Sequence, residues 1–378
     1  MVQNRKVIWA TLSSNLLVWG LINSLFGPSS LSIMSEFKVD FATAGLAVAG
    51  MSFGAMFSIF TGRYVDKYGS YYIARLSLLF FGLTIFLAGL SNGILMFILI
   101  LFLAGISIGT LQASFNQVII DLYPDAKIKM LSITQAFFGV GSTVGPTIVA
   151  LVISSLNSWK VGYMLFGGLL TVMVVFQFSL KSGSEKRTIS FEENKTEEKD
   201  NSFFVLLIAL FFMFIVGSGI GSWLPTYAVS SNKTGYLEAS ALLSCYWAAG
   251  TVMRVFGWKL VNKTGVKKAL VSFTMIGFIC SLISIFVIGF VPNAIIWGIV
   301  GLVYEPIYPM VMAVAYSKFR RNPGRAIGRL ISFGNFGALI SAPLIGTINN
   351  VSGPNVATFI IPISCLVATF MFVKLKID

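Results

Sequence analysis

Apolar residues run through this chain in long blocks from Val7 to Lys374, each closed by a short polar cluster, and only KSGSEKRTISFEENKTEEKDNS at residues 181–202 interrupts them for long. A helix crossing the hydrocarbon of a bilayer needs about 20 mostly apolar residues, because each adds about 1.5 Å along the axis against a core about 30 Å thick. Twelve blocks reach that length: residues 7–34, 41–62, 71–91, 94–120, 131–155 and 159–180 before the charged segment, and 203–229, 237–258, 268–290, 293–316, 327–350 and 353–373 after it. The pattern predicts an all-α integral membrane protein with twelve transmembrane helices in two six-helix bundles, 1–180 and 203–378, joined by a cytoplasmic linker, 181–202.

Composition agrees with the bilayer as solvent. Of the 378 residues, 56% are apolar and 11% charged, and the mean hydropathy is +0.85, more apolar than the core of one soluble domain accommodates. Charge placement orients the chain, since Lys and Arg accumulate in cytoplasmic loops. With both termini in the cytoplasm, all of the 27 Lys and Arg except Lys38, Lys160 and Lys233 fall in cytoplasmic segments. The net charge of +13 then lies beside anionic lipid, which becomes its expected partner in place of nucleic acid. The first block follows Arg5 and Lys6 and reads as an uncleaved anchor, so a multi-pass protein of the plasma membrane is expected, acting as a monomer. Cys245, Cys280 and Cys365 fall in three different helices and imply neither a disulfide framework nor a metal site. The linker, with 5 basic and 6 acidic residues, reads as a flexible connector too short for a signalling domain.

The two halves repeat. GRYVDKYGSYY from Gly62 aligns with WKLVNKTGVKK from Trp258 at an offset of 196, which also carries Gly54 to Gly250 and Val7 to Phe203. Gly69 and Gly265 supply backbone freedom at a tight turn. Asp66 can accept from the amides of a helix N-terminus, and Lys67 anchors at the headgroups. A duplicated six-helix unit, both copies in one orientation, is the simplest account, and solute in such folds sits near the midplane between the copies.

Ionisable groups deep in the membrane are costly unless paired or hydrated. Glu305, in GLVYEPIYPMVMA, is the one acid far from both ends of its block, and Pro306 and Pro309 loosen the helix beside it. It is the candidate for proton coupling or solute contact; the alternative is a structural carboxyl paired with a polar neighbour. Arg254 is expected about one turn from the cytoplasmic end of its helix, at a gate or interface. No Arg or Lys is expected mid-helix, which counts against an organic anion. Polar and aromatic residues share helix faces: Asn15, Trp19 and Asn23; Gln112 and Asn116; Trp223 and Tyr227. Gln135, Trp247, Tyr304, Tyr308 and Asn335 lie at similar depth. Amides with aromatic rings suit a polyhydroxylated neutral solute, although the same residue types also bond helix to helix. FFGVGSTVGP (137–146) and FGNFGALISAP (333–343), in equivalent helices, favour close packing.

These residues carry a resemblance. The chain is similar to members of the major facilitator superfamily, whose loop motif of Gly, three residues, Asp, a basic residue, one residue and Gly is matched by Gly62, Asp66, Lys67 and Gly69. Tyr71 and Tyr72 depart from the basic residues that usually follow, and Asn262 from the acid of the second copy. The resemblance implies the major facilitator fold, alternating access by rocking of two halves, and a cytoplasmic gate locked in part by the loop motif and by the stretch from Arg254. WGLINSLFGP (19–28), GTLQASFNQ (109–117), TQAFFGVGSTVGP (134–146) and YWAAGTVMRVFG (246–257) further resemble the fucose/glucose type of sugar:proton symporter, implying Gln112, Asn116 and Gln135 near the sugar. The acids of such symporters fall here at Gln112 and about Gly27. Hence Glu305 has taken over coupling, or transport is uncoupled, or solute and direction differ.

A secondary transporter of a small polar solute, a sugar or similar metabolite, is therefore expected, with protons as a candidate co-substrate. Partial likeness of GVGSTVGP to the antiporter motif keeps proton-driven efflux of drugs or metabolites as the alternative, and a non-transporting solute sensor is the reading from another class. Enzyme chemistry is disfavoured. The chain has no histidine, and no intramembrane carboxylate pair or metal-ligand cluster is recognisable. It also lacks a GxxxxGK[ST] phosphate loop, so no cofactor is expected.

Overall fold

The computed structural model of this chain describes residues 2–57, 64, 67–123, 127–179, 201–231, 234–318 and 323–376. Its regular structure is all helical among the described residues. The helices are α1 (Val2–Asn23), α2 (Phe26–Phe37), α3 (Phe41–Met56), α4 (Ser70–Gly89), α5 (Ile94–Leu122), α6 (Lys127–Leu156), α7 (Lys160–Ser179), α8 (Asn201–Ser230), α9 (Tyr236–Thr264), α10 (Val266–Phe286), α11 (Phe290–Tyr304), α12 (Ile307–Lys318), α13 (Pro323–Ser352), α14 (Pro354–Thr358) and α15 (Ile360–Lys374).

Among the described residues, nine spans are long and apolar enough to cross a membrane, ten when α1 and α2, bent by 43° at Ser24 and Leu25, count as one. The shorter apolar helix α3 and α9, whose apolar run Arg254 dilutes, bring the number to the twelve read from the sequence. Where the sequence places single helices, three are broken. Span one bends ahead of Gly27 and Pro28, span ten at Glu305 and Pro306, and span twelve at Phe359 between α14 and α15. Proline explains the second break, because it lacks the amide that would continue the helical ladder.

The chain divides into two compact units, Met1–Val39 with Leu46–Ser190, and Asp40–Gly45 with Phe191–Asp378. In the first, α1 packs along α6 and α4 along α5 and α7. In the second, α8 packs along α13 and α15, α9 along α11, and α10 along α15. The repeat is visible in close helix crossings. A Cβ on Gly105 of α5 would overlap the Met51 carbonyl oxygen of α3, and one on Gly301 of α11 would overlap that of Tyr246 on α9; positions 105 and 301 are related by the sequence offset. The turn glycines match as well, Gly69 at φ +90° and Gly265 at φ +80°, a region L side chains avoid. Replacing Gly105 or Gly301 by Leu is expected to destabilise the fold by about 1–3 kcal/mol or more through overpacking. Thermal unfolding in detergent micelles checks this; an unshifted midpoint for either variant would mean the crossing is not tight.

The far end of the first unit explains one of the cations outside the cytoplasmic segments. Lys160 pairs with Glu36 at 2.6 Å, and the Trp159 indole N–H donates to the other Glu36 oxygen at 2.6 Å. Trp159 is itself packed edge-on by Phe37, Phe97 and Tyr163. In the second unit, Asp40 accepts from the Thr43 amide at 2.8 Å and from the Asn350 side chain at 2.7 Å. The Thr43 hydrogen bonds hold its carboxyl below the usual range.

Candidate functional site

The second unit holds an ion pair inside its helices. Glu305 stands at the break between α11 and α12 and its side chain is 5% exposed. Its Oε1 accepts from the Tyr246 hydroxyl at 3.2 Å. Its Oε2 accepts from Arg254 Nε at 2.9 Å and from Arg254 Nη2. Tyr246 and Arg254 both belong to α9, two turns apart, and so share a face. Gly250 lies between them, and a Cβ there would overlap Glu305 Cγ; the missing side chain makes room for the carboxylate. Gly301, one turn before Glu305, brings α11 against α9 at the Tyr246 carbonyl. On the other side, Tyr304 donates to the Met213 carbonyl of α8 at 2.6 Å. Each charge is costly alone in such surroundings, and the pair with its extra hydrogen bond offsets that cost.

This geometry corrects the sequence reading of Arg254. The apolar pattern fades at 258, but α9 runs on to Thr264, because Lys259 and Lys263 end the hydrophobic run without ending the backbone hydrogen bonding. Arg254 therefore sits ten residues before the end of its helix, about 15 Å, and a cation does occupy the helix interior. The carboxyl–polar pairing weighed for Glu305 is realised by the second residue singled out. Sequence reasoning passed over Tyr246 and Gly250, although Tyr246, Gly250 and Arg254 recur every four residues, the spacing that stacks side chains on one helix face.

The other candidates are distributed as follows. Asn15 is fully buried and exchanges two 3.0 Å hydrogen bonds with Gln177 of α7, so it ties helices together and leaves the shared face to Trp19 and Asn23. Trp19 is buried against Phe138, ring centroids 5.2 Å apart, and its indole N–H has no hydrogen-bond partner among the described residues. Asn23, Gln112 and Asn116 are exposed, and Gln135 and Asn335 half-buried. Trp223 donates to the Ala342 carbonyl at 3.1 Å; with Tyr227 it lines a small cavity alongside Trp297, Asn349 and Thr358. Trp247 is half-buried, its ring 5.9 Å from the Arg254 guanidinium. Tyr308 is exposed. Of the loop motif, Gly62 and Asp66 lie outside the described residues, as does the side chain of Asn262; Lys67 is exposed beside Tyr68. Among the described residues, no three His, Cys, Asp or Glu are grouped to hold a metal.

Membrane-length helices in two repeated units, with an ion pair enclosed in one of them, define the class: a polytopic helical membrane protein built by duplication, with a charged site inside its helices. A family model described as Major Facilitator Superfamily matches residues 11–322, and the chain belongs to that superfamily, which is made up of transporters rather than enzymes. It is similar to the protein TsgA homolog of Buchnera aphidicola subsp. Baizongia pistaciae, 24% identical over 277 residues that make up 72% of this chain and 66% of the relative; the match spans just under two thirds of that relative's length. It is also similar to Multidrug resistance protein 2 of Bacillus subtilis, 23% identical over 306 residues, 74% of this chain and 76% of the relative. The solved outward-facing structure of FucP, the E. coli fucose:proton symporter, superposes with a TM-score of 0.69 at 17% identity, covering 99% of this chain and 100% of that one. At that identity the likeness is one of fold.

Proposed function

We propose that this chain takes up a small polar solute, a sugar or similar metabolite, across the plasma membrane together with a proton, by alternating access. The observation that carries the reading is Glu305, a carboxylate enclosed in the second unit and held by an arginine and a tyrosine. A proton arriving on Glu305 removes the charge that Arg254 pairs with, so each protonation state favours a different packing of α9 on α11. An equilibrium shifts only by as much as a ligand distinguishes two states, and a buried ion pair distinguishes them strongly.

Trp19, Asn23, Gln112, Asn116, Gln135, Trp223, Tyr227, Trp247, Tyr308 and Asn335 are the proposed solute contacts. Gly62, Asp66, Lys67 and Gly69 are the proposed cytoplasmic gate residues of the first unit, and Arg254 belongs to the proposed proton site of the second. The charge bias supports a topology with both termini in the cytoplasm, and a monomer is the proposed working unit. The relative named as a multidrug resistance protein, together with the GVGSTVGP run, supports proton-driven efflux as the second reading. Uptake into proteoliposomes of a mixed panel of sugars and metabolites, with the proton gradient imposed in either direction, separates the two. Accumulation driven by an inward gradient supports uptake, and movement only under the reversed gradient supports efflux. Solute binding without movement under any gradient would leave a sensor.

A further inference from the structure

We propose that Glu305 takes its proton on Oε1, and that Tyr246 is the positioning residue that selects this oxygen, its hydroxyl turning from hydrogen-bond donor to acceptor as the proton arrives. This rests on the proton-coupled reading above and adds to it the atom that carries the proton and the group that holds it. The two oxygens of the carboxylate face unlike partners. Oε2 accepts from Arg254 Nε at 2.9 Å and from Nη2, and a guanidinium has donors only and keeps its proton in a protein. A hydrogen on Oε2 directed at Arg254 would meet hydrogens. Oε1 accepts from the Tyr246 hydroxyl at 3.2 Å, and a phenol can both donate and accept. A hydrogen on Oε1 therefore has an acceptor within reach: the hydroxyl turns about its C–O bond and receives it.

Basicity points the same way. Two donors from a cation draw more charge from Oε2 than one longer bond from a neutral hydroxyl draws from Oε1, so Oε1 is the more basic oxygen. The other titratable groups around the pair are Tyr304 from α11 and, beside Tyr304, Cys365 from α15; the Tyr304 hydroxyl donates to the Met213 carbonyl. Tyr246 is held firmly in place. It is 1% exposed, its ring lies edge-on to Trp247 at 5.3 Å and tilted against Tyr304 at 6.1 Å, and its carbonyl meets Gly301 where α9 crosses α11. With the proton on Oε1, Arg254 keeps Oε2 as an acceptor in both protonation states. Protonation then weakens the tie between α9 and α11 by the loss of one charge without breaking it, and the same contact regains its strength when the proton leaves.

The test is infrared difference spectroscopy of the full chain in lipid vesicles, recorded as the pH is lowered, with isotope-labelled tyrosine to pick out the tyrosine bands. The carboxylic-acid C=O band that is lost in Glu305→Gln reports protonation of Glu305. The C–O stretch of a phenol lies at higher wavenumber when its hydroxyl donates than when it accepts. The expected result is a tyrosine C–O band that moves to lower wavenumber as the Glu305 acid band grows. It is expected to be missing from Tyr246→Phe, to move as in the parent in Tyr304→Phe, and to stand still in Glu305→Gln; the last two variants carry the assignment if Tyr246→Phe does not fold. A Glu305 acid band that grows while every tyrosine band stands still overturns the inference, because the hydroxyl then donates in both states, and it leaves the proton-coupled reading intact. A moving band that is lost in Tyr304→Phe overturns the inference as well. No Glu305 acid band at any pH at which the protein stays folded removes the proton-coupled reading and the inference with it.

Discussion

Glu305→Gln is expected to abolish accumulation driven by a proton gradient, lowering it by at least about tenfold, while exchange of solute across the membrane continues. The amide is close in shape to the protonated acid, keeps one acceptor oxygen where the carboxylate offers Oε1 to Tyr246 and Oε2 to Arg254, and fits the space left by Gly250. It cannot release or take up a proton, so the step that ties solute movement to the gradient is lost while the loaded carrier can still reorient. Counterflow and gradient-driven uptake measured on the same vesicles check this. A mutant that responds to an imposed gradient as the parent does would remove Glu305 from coupling.

The second large effect concerns stability. Arg254→Gln leaves the Glu305 carboxylate enclosed without its cation, and breaking such a pair from one side costs about 3–5 kcal/mol. The double variant Arg254→Gln, Glu305→Gln removes both charges and is expected to recover most of that loss, since a neutral pair carries no desolvation penalty of this size. Thermal midpoints of the parent, the two single variants and the double variant in one detergent give the coupling directly. Purely additive midpoints would mean the two side chains do not interact in the folded protein. Transport is not expected to return with stability, because the double variant has neither proton acceptor nor cation.

Much of the fold was legible because the bilayer imposes its length on every helix. The twelve blocks, the duplication and the turn glycines Gly69 and Gly265 follow from hydropathy, offset and backbone freedom alone. Helix ends were less legible: a block stops being apolar where it leaves the hydrocarbon, whereas the backbone of α9 keeps its hydrogen bonds to Thr264, and Arg254 was read too shallow. Glu305 stood out because an isolated acid in an apolar block is costly. Its partners did not, since Tyr246 looks like any membrane aromatic and Gly250 acts only through an absent side chain. Asn15 shows the converse, a polar residue on a striped helix face whose amide is committed to Gln177, the helix-to-helix alternative weighed for that face; a stripe gives direction, while partner choice depends on which helix lies opposite.

The crossing made by Gly105 recurs at Gly301, yet the ion pair does not recur. The positions matching Tyr246, Arg254 and Glu305 in the first copy are Gly50, Ser58 and Gly109, none of which carries a side chain that ionises at neutral pH. After duplication, this ion pair stands in one copy alone. On the proton-coupled reading, a single carboxylate means one proton per turnover, and for a neutral cycle this caps the solute gradient at about tenfold for each pH unit across the membrane. A steeper gradient would require a second titrating group, and introducing one at Gly109 would be the direct way to raise the ceiling.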